Sequence, residues 1–105
     1  MELRLPLVSI VMPSFNQVRF LETALGSVLE QDYPNIELLV IDGGSTDGSL
    51  EVLQQYADRL AYWQSRPDEG QADAINQGLQ RTKGKYVAWL NSDDVYLPGA
   101  IHEAV

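Results

Sequence analysis

The chain has 105 residues, a net charge of −8 and no cysteine. This length supports one small domain, and a hydrophobic content of 45% allows a packed core. The negative charge argues against duplex DNA or RNA as a partner, and the missing cysteines exclude disulfides and thiolate metal sites. No apolar run is long enough to span a bilayer and no signal-peptide pattern is present, so a cytoplasmic protein without a membrane segment is expected.

Four short apolar runs rich in strand formers predict four β-strands. The first run is apolar except for Ser9 and stops at Pro13. Continuous apolar character is typical of strands in a parallel sheet, because helices cover both faces of such a sheet. The predicted strands are residues 7–12, 36–41, 60–64 and 86–90.

Three amphipathic helices are predicted between these strands. Apolar residues recur at three- and four-residue steps from Val18, where Asn16 is placed to cap a helix and Pro34 to stop it. The second helix follows a glycine-rich turn, and the third follows a loop around Pro67. Crossovers of this length join parallel strands, so the pattern predicts a Rossmann-like, three-layer α/β/α fold with a mostly parallel sheet.

Residues 100–105 have the pattern of a helix that begins and does not finish. The chain is therefore interpreted as a single domain, residues 1–105, separated from a further half. Such a separation exposes apolar surface on the fourth strand and the last helix, and we expect self-association through it. A clean monomer at high concentration in light scattering would contradict this expectation.

Polar residues cluster after each predicted strand. In open α/β sheets the ligand crevice lies at the carboxyl ends of the strands, near the point where the strand order reverses. The four clusters would all lie at that edge of the sheet, which indicates a binding site. They are residues 13–16, 42–47, 66–71 and 91–94.

The adjacent carboxylates Asp93 and Asp94 repel each other unless a cation or a donor shares their site. Hard divalent ions such as Mg²⁺ and Mn²⁺ prefer such oxygen ligands and often bind a phosphate as well. The alternative is a solvated loop whose acidic residues cap the following helix. The single histidine, His102, has no second ligand nearby and is interpreted as a surface residue.

Phe15 and Asp42 each follow a predicted strand directly. Phe15 is able to offer a flat apolar face to a nucleobase, or to pack against the entry of the first helix. Asp42 is able to accept a hydrogen bond from an imide N–H such as that of uracil. Its alternative is an Asx turn, which Ser45, Thr46 and Asp47 already supply, so the ligand role is favoured.

The loop after the third strand supplies one basic residue, Arg66, as a candidate contact to a base or a phosphate. Arg66 is equally suited to pair with Asp68 or Glu69. Asp73 and Asn76 lie about one turn apart near the start of the third helix, where a polar outer face explains them at least as well.

Taken together, the four clusters and their flanking segments resemble family 2 glycosyltransferases, inverting enzymes with the GT-A fold. The resemblance covers nearly the whole chain and is specific in order and spacing. The matching segments are residues 8–16, 40–49, 70–78 and 88–98.

The resemblance implies the donor-binding portion of an enzyme that transfers a sugar from a nucleotide-diphospho-sugar, most often a UDP-sugar, to an acceptor hydroxyl. Asp93 would hold the Mn²⁺ or Mg²⁺ ion on the donor diphosphate, within a DXD-type motif, and Asp42 would bind the uracil. The implied donor-binding residues are Pro13, Phe15, Asn16, Asp42, Arg66, Asp73, Asn76, Asn91 and Ser92.

Three departures from the family pattern are present. Gly43 stands where a second aspartate is common, and Asn91 stands where the metal motif usually begins with aspartate. The acidic general base of the family belongs to a C-terminal half that these residues do not include, so no catalytic residue is assigned and the chain by itself is expected to be inactive. The alternative is a non-catalytic nucleotide-binding or regulatory module. A dinucleotide-binding oxidoreductase is excluded, because residues 13–16 lack a glycine-rich phosphate loop.

Overall fold

The computed structural model describes residues 5–96 and 99–101 of the chain. Strands and helices alternate through it in the predicted order. The strands are β1 (Val8–Ser14), β2 (Ile36–Asp42), β3 (Tyr62–Ser65) and β4 (Tyr86–Trp89). The helices are α1 (Val18–Leu29), α2 (Ser49–Tyr56), which continues as a short 3₁₀ turn (Ala57–Arg59), and α3 (Gln71–Leu79).

The four strands form one parallel sheet in the order β3-β2-β1-β4. β1 is paired along its whole length with β2, from Val8 opposite Ile36 to Ser14 opposite Asp42. On its other side β1 pairs with β4, and β3 extends the sheet beyond β2. Because all pairings are parallel, the four strands end at one edge of the sheet. The strand order reverses between β1 and β4, so the switch point lies beside β1.

Helices cover both faces of the sheet, as predicted. Ile10 and Met12 of β1 belong to the larger core cluster, together with apolar residues of α1 and with Leu53 of α2. Val11 and Ile41 point to the opposite face, where Ala74 of α3 packs against them. Alternation along β1 thus separates the two apolar layers, and the Rossmann-like α/β/α prediction is confirmed.

Helix α3 approaches β1 very closely. A Cβ atom on Gly78 would lie 2.3 Å from Cγ1 of Val11, a fully buried side chain of the central strand. Glycine at this position therefore sets the distance between the α3 layer and the sheet.

Two details of the strands differ from what the sequence pattern indicates. β1 continues through Pro13 to Ser14, because the fixed φ of proline fits an extended strand and the missing N–H is tolerated near a strand end. β4 has the apolar pattern of a buried strand, but within the described residues it is an edge strand with Trp89 58% exposed, in line with the apolar surface expected on the fourth strand. Helix formation at Ala100 agrees with the prediction as far as Ile101. His102 and residues 103–105, with Leu97 and Pro98, lie outside the described residues.

No helix in the described part of the chain is long and apolar enough to cross a membrane. The exposed edge of β4 is the apolar surface from which self-association was predicted, and that behaviour stays a prediction.

Candidate functional site

A cavity of about 690 Å³ opens at the carboxyl edge of the sheet. All four strand-end segments contribute to its wall, as their position at one edge of a parallel sheet requires. Five of the predicted site residues line it: Pro13, Phe15, Asn91, Ser92 and Asp93. The rest of the lining is Ser14, Gln17, Gly43, Gly44, Pro67, Asp68, Gly70, Gln71 and Ala74.

Phe15 lies at the cavity with 57% of its surface exposed. A phenylalanine that served only to anchor the start of α1 would bury its ring against that helix. The exposed ring instead leaves a flat apolar surface free to stack with a planar ligand. This placement favours the nucleobase interpretation over the helix-entry alternative.

Asp42 is fully buried and both of its carboxylate oxygens are engaged. Oδ2 accepts hydrogen bonds from the N–H groups of Gly44 (3.1 Å) and Ser45 (2.8 Å) and from Oγ of Ser65 (2.8 Å). Oδ1 accepts one from Oγ of Ser45 (2.6 Å). The expectation of a direct ligand contact is therefore corrected. Asp42 forms the Asx-type turn that was the rejected alternative, and it holds the β2–α2 loop to β3.

Asn16 was predicted to cap α1, and that prediction is wrong. Its backbone has a φ of +51°, and its side-chain Oδ1 accepts a hydrogen bond from the N–H of Thr46. The cap is supplied instead by Asp47, whose Oδ2 accepts the N–H of Val18 at 2.9 Å. Asn16 does not line the cavity, and its contacts join the β1–α1 loop to the β2–α2 loop.

Asp47 serves two helices at once. Besides the first N–H of α1, it accepts hydrogen bonds through Oδ1 from the N–H (3.1 Å) and Oγ (2.7 Å) of Ser49, the first residue of α2. Desolvation by itself would raise the pKa of Asp47. The hydrogen bonds from Ser49 and Val18 outweigh it, so the pKa lies below its ordinary value.

Replacing Asp47 by alanine is expected to lower the free energy of unfolding by about 1.5 kcal/mol at neutral pH, because two helix N-termini lose a shared acceptor. A carboxyl group whose pKa is lowered on folding stabilises the fold above its unfolded pKa. That contribution is lost as the pH falls through the lower folded value. Urea unfolding should therefore show a difference between the variant and the wild type that shrinks below about pH 3.8. A difference that stayed constant between pH 7 and pH 3 would contradict this account.

The predicted site residues of the β3–α3 loop and of α3 do not line the cavity. Arg66 is exposed, does not line the cavity, and makes no ion pair with Asp68 or Glu69 in the described part of the chain. Asp73 accepts the N–H of Glu69 at 2.9 Å, which stabilises the start of α3 in the manner of a capping box. Asn76 is exposed on α3 and away from the cavity. The structural alternative therefore explains Asp73 and Asn76 better than a ligand contact does.

The segment after β4 places its side chains in different environments. Asn91 accepts a hydrogen bond through Oδ1 from the side-chain amide of Gln71, at the start of α3. Ser92 is buried, whereas Asp93 is exposed at the cavity. Asp94 is also exposed, but it lies outside the cavity wall and accepts the N–H of Val95. Only one of the two adjacent carboxylates therefore belongs to the cavity.

The donor atoms at this edge fit a divalent ion that takes few ligands from the protein, such as Mg²⁺ or Mn²⁺. No group of three histidine, cysteine or acidic side chains within the described residues could enclose a metal. Mg²⁺ and Mn²⁺ commonly take one or two carboxylates from the protein and complete their coordination with water and substrate phosphates. The carboxylate of Asp93 suits that arrangement, in which the ligand brings the remaining oxygens.

The cavity residues that the sequence did not assign to the site include Gln17, Asp68, Gly70 and Gln71. Three of them stand in the segment 66–71 that was recognised as a strand-end cluster. Their position was therefore visible in the sequence. Which members of the cluster face the cavity depends on the loop conformation, which the pattern does not reveal.

The chain matches the family described as glycosyl transferase family 2 over residues 9–105. It belongs to this family. Similar curated proteins include an uncharacterized glycosyltransferase of Rickettsia prowazekii, with 38% identity over 95% of this chain and 31% of that protein. Another, from Haemophilus influenzae, shows 40% identity over 88% of this chain and 38% of that protein. The chain thus spans about a third of the length of these relatives.

Solved structures of glycosyltransferases share the fold. S. aureus TarS 1-349 in complex with UDP-GlcNAc matches with a TM-score of 0.83 and 25% identity, over 93% of this chain and 30% of that one. The mannosyltransferase PcManGT from Pyrobaculum calidifontis, in complex with GDP-Man and Mn²⁺, matches with a TM-score of 0.79 and 30% identity, over 87% and 28%. The described fold is therefore that of the N-terminal portion of a GT-A glycosyltransferase.

Proposed function

We propose that this chain binds the nucleoside-diphosphate part of a sugar donor in the cavity at the strand switch point, as the donor-binding portion of an inverting glycosyltransferase. The observation that carries the proposal is the convergence of all four strand-end segments on one cavity beside β1. One similar structure contains UDP-GlcNAc and another contains GDP-Man. Both ligands support a nucleotide-diphospho-sugar as the donor.

Within this proposal, the donor lies along the edge of the sheet with its base near Phe15 and its diphosphate near β4. The exposed ring of Phe15 provides the stacking surface, and Pro13 lines the wall beside it. The chain carries a net charge of −8, so a diphosphate needs a cation to offset the repulsion. Asp93 would hold a Mn²⁺ or Mg²⁺ ion there. Such an ion neutralises charge on the leaving diphosphate when the sugar departs.

The acceptor, the general base and the sugar are not assigned to any residue of this chain. Family membership favours an enzyme over the non-catalytic alternative. Full transfer would need a carboxylate placed to deprotonate the acceptor hydroxyl, and we propose that the complete protein supplies it. Cytoplasmic location remains a prediction.

Calorimetric titration with UDP and GDP, in the presence of Mn²⁺, tests the proposal on a matched pair of variants. Phe15→Ala is expected to weaken binding by about 5- to 150-fold, since stacking on one aromatic side chain contributes about 1–3 kcal/mol. Phe20→Ala removes another exposed phenylalanine, on α1 and away from the cavity, and should leave the affinity unchanged. Failure of the wild type to bind either nucleotide, or equal losses in both variants, would contradict the proposal.

A further inference from the structure

Asp68 is a cavity carboxylate for which the fold gives no sufficient structural reason. Its Oδ1 accepts the N–H of Gly70 at 2.9 Å, and no described residue donates a hydrogen bond to Oδ2. The carboxylate lies directly over Gly43: a Cβ atom built there would be 3.1 Å from Oδ1 and 3.2 Å from Oδ2 of Asp68. The same point is 3.2 Å from Cδ1 of Phe15. A carboxylate and an exposed aromatic ring thus meet above a position that has no side chain.

The order of the strands places these groups at one end of the cavity. Asp68 follows β3 and reaches Gly43 at the end of β2, whereas Asp93 follows β4 on the other side of β1. Because a carboxylate beside a diphosphate is repulsive, Asp68 suits the uncharged part of a nucleotide. The other carboxylate in this region, Asp42, is fully buried and already accepts four hydrogen bonds. Asp68 is therefore the acceptor that remains available next to the Phe15 ring.

We infer that Asp68 selects the base of the donor by accepting a hydrogen bond from an imide-type N–H, that of N3 in uracil or N1 in guanine, while Phe15 stacks on the ring. This inference rests on the proposed function, and it assigns to Asp68 the contact that the sequence alone suggested for Asp42. Gly43 is part of the same arrangement, because a side chain there would crowd both the Asp68 carboxylate and the Phe15 ring.

The test compares bases with and without this N–H. UDP and GDP carry this N–H, whereas CDP and ADP do not. UDP is compared with CDP and GDP with ADP, so that a preference for the N–H is separated from a preference for pyrimidines or purines. The wild type is titrated with each diphosphate at saturating Mn²⁺. It should bind UDP at least about tenfold more tightly than CDP, or GDP at least about tenfold more tightly than ADP, as expected for a charge-assisted hydrogen bond. Asp68→Asn keeps an acceptor for the N–H of Gly70 and adds a donor, so the preference should fall to nearly equal affinities.

Glu69→Gln is the matched control, because Glu69 is an exposed neighbouring carboxylate that does not line the cavity. It should retain the wild-type preference. Gly43→Ala provides a second variant that keeps Asp68 but crowds both its carboxylate and the Phe15 ring by a few tenths of an ångström, and it should reduce the preference in part. Thermal unfolding of each variant verifies that it is folded.

Three results would overturn the inference while leaving the proposed function intact. Asp68→Asn could bind all four diphosphates as the wild type does, which would remove any role in recognition. It could weaken all four equally, which would indicate a contact to ribose or support of the loop. It could abolish the effect of Mn²⁺ on binding, which would make Asp68 a metal ligand. A wild type that binds none of the four would overturn the proposed function and this inference together.

Discussion

Replacing Asp42 by alanine is expected to lower the free energy of unfolding by about 3 kcal/mol. The substitution leaves two backbone N–H groups and two hydroxyl groups without their acceptor, and an unsatisfied buried donor costs about 1–3 kcal/mol. The total stays below the sum of four such costs, because Gly44 and Ser45 are only partly buried and the loop relaxes toward water. Urea denaturation monitored by tryptophan fluorescence or circular dichroism measures the loss.

Asp58→Ala is the control for this measurement. Asp58 is exposed in the 3₁₀ turn, and its removal should change stability by no more than about 0.5 kcal/mol. Asp42→Asn keeps one acceptor oxygen and should fall between the two. If Asp42→Ala proved as stable as Asp58→Ala while nucleotide affinity collapsed, Asp42 would be a ligand contact rather than a support of the β2–α2 loop.

The same glycine-to-alanine change is expected to have opposite signs in two helices. In α3, Gly78→Ala should reduce stability by about 1–2 kcal/mol. The new methyl group would lie 2.3 Å from Cγ1 of Val11, a stiff, β-branched side chain that is fully buried. Alanine improves helix propensity by about 1 kcal/mol, which offsets only part of the cost of moving α3 away from the sheet.

In α1, Gly26→Ala has no such contact, because nothing lies within 4 Å of the added Cβ and the φ angle is not positive. The higher helix propensity of alanine is then the main effect, and the free energy of unfolding should rise by about 0.5–1 kcal/mol. Thermal melting of the two variants beside the wild type gives both signs in one experiment. Destabilisation by Gly26→Ala, or stabilisation by Gly78→Ala, would contradict the packing described here.

The sequence was sufficient to predict the order of the strands and helices and the edge of the sheet that carries the site. Apolar runs such as the one before Pro13 are short and rich in strand formers, which favours strands, and helical periodicity begins sharply at Val18. The position of the polar clusters follows from parallel pairing, because every parallel strand ends at the same edge. These properties depend on local composition and on the general rules of α/β folds.

The partners of individual side chains could not be predicted in the same way. Asp47 caps α1 from a loop 29 residues away, a task that local sequence assigned to Asn16. Asp42 is turned inward by Ser65, 23 residues away on β3, and Asp68 takes the place beside the cavity. Several acidic residues follow strand ends in this chain, and composition does not distinguish the one that supports a loop from the one that faces a ligand. That distinction depends on how three loops pack together.

β4 shows a different limit. Its apolar residues have the pattern of a buried strand, but Tyr86, Val87 and Trp89 are all exposed at the sheet edge. The hydrophobic pattern indicates that a strand is suited to burial. The exposure of its side chains also depends on which strands lie beside it.

The most direct test of the account is a calorimetric titration of UDP into the chain with and without Mn²⁺, on the wild type, Asp93→Asn and Asp94→Asn. Asp93 lines the cavity and Asp94 does not, so this pair of adjacent carboxylates separates a metal ligand from a surface charge. The account predicts that Mn²⁺ strengthens UDP binding at least about tenfold in the wild type and in Asp94→Asn, and that Asp93→Asn loses this gain. A gain that survives in Asp93→Asn, or that disappears equally in both variants, would contradict the placement of a metal-bridged donor at the end of β4.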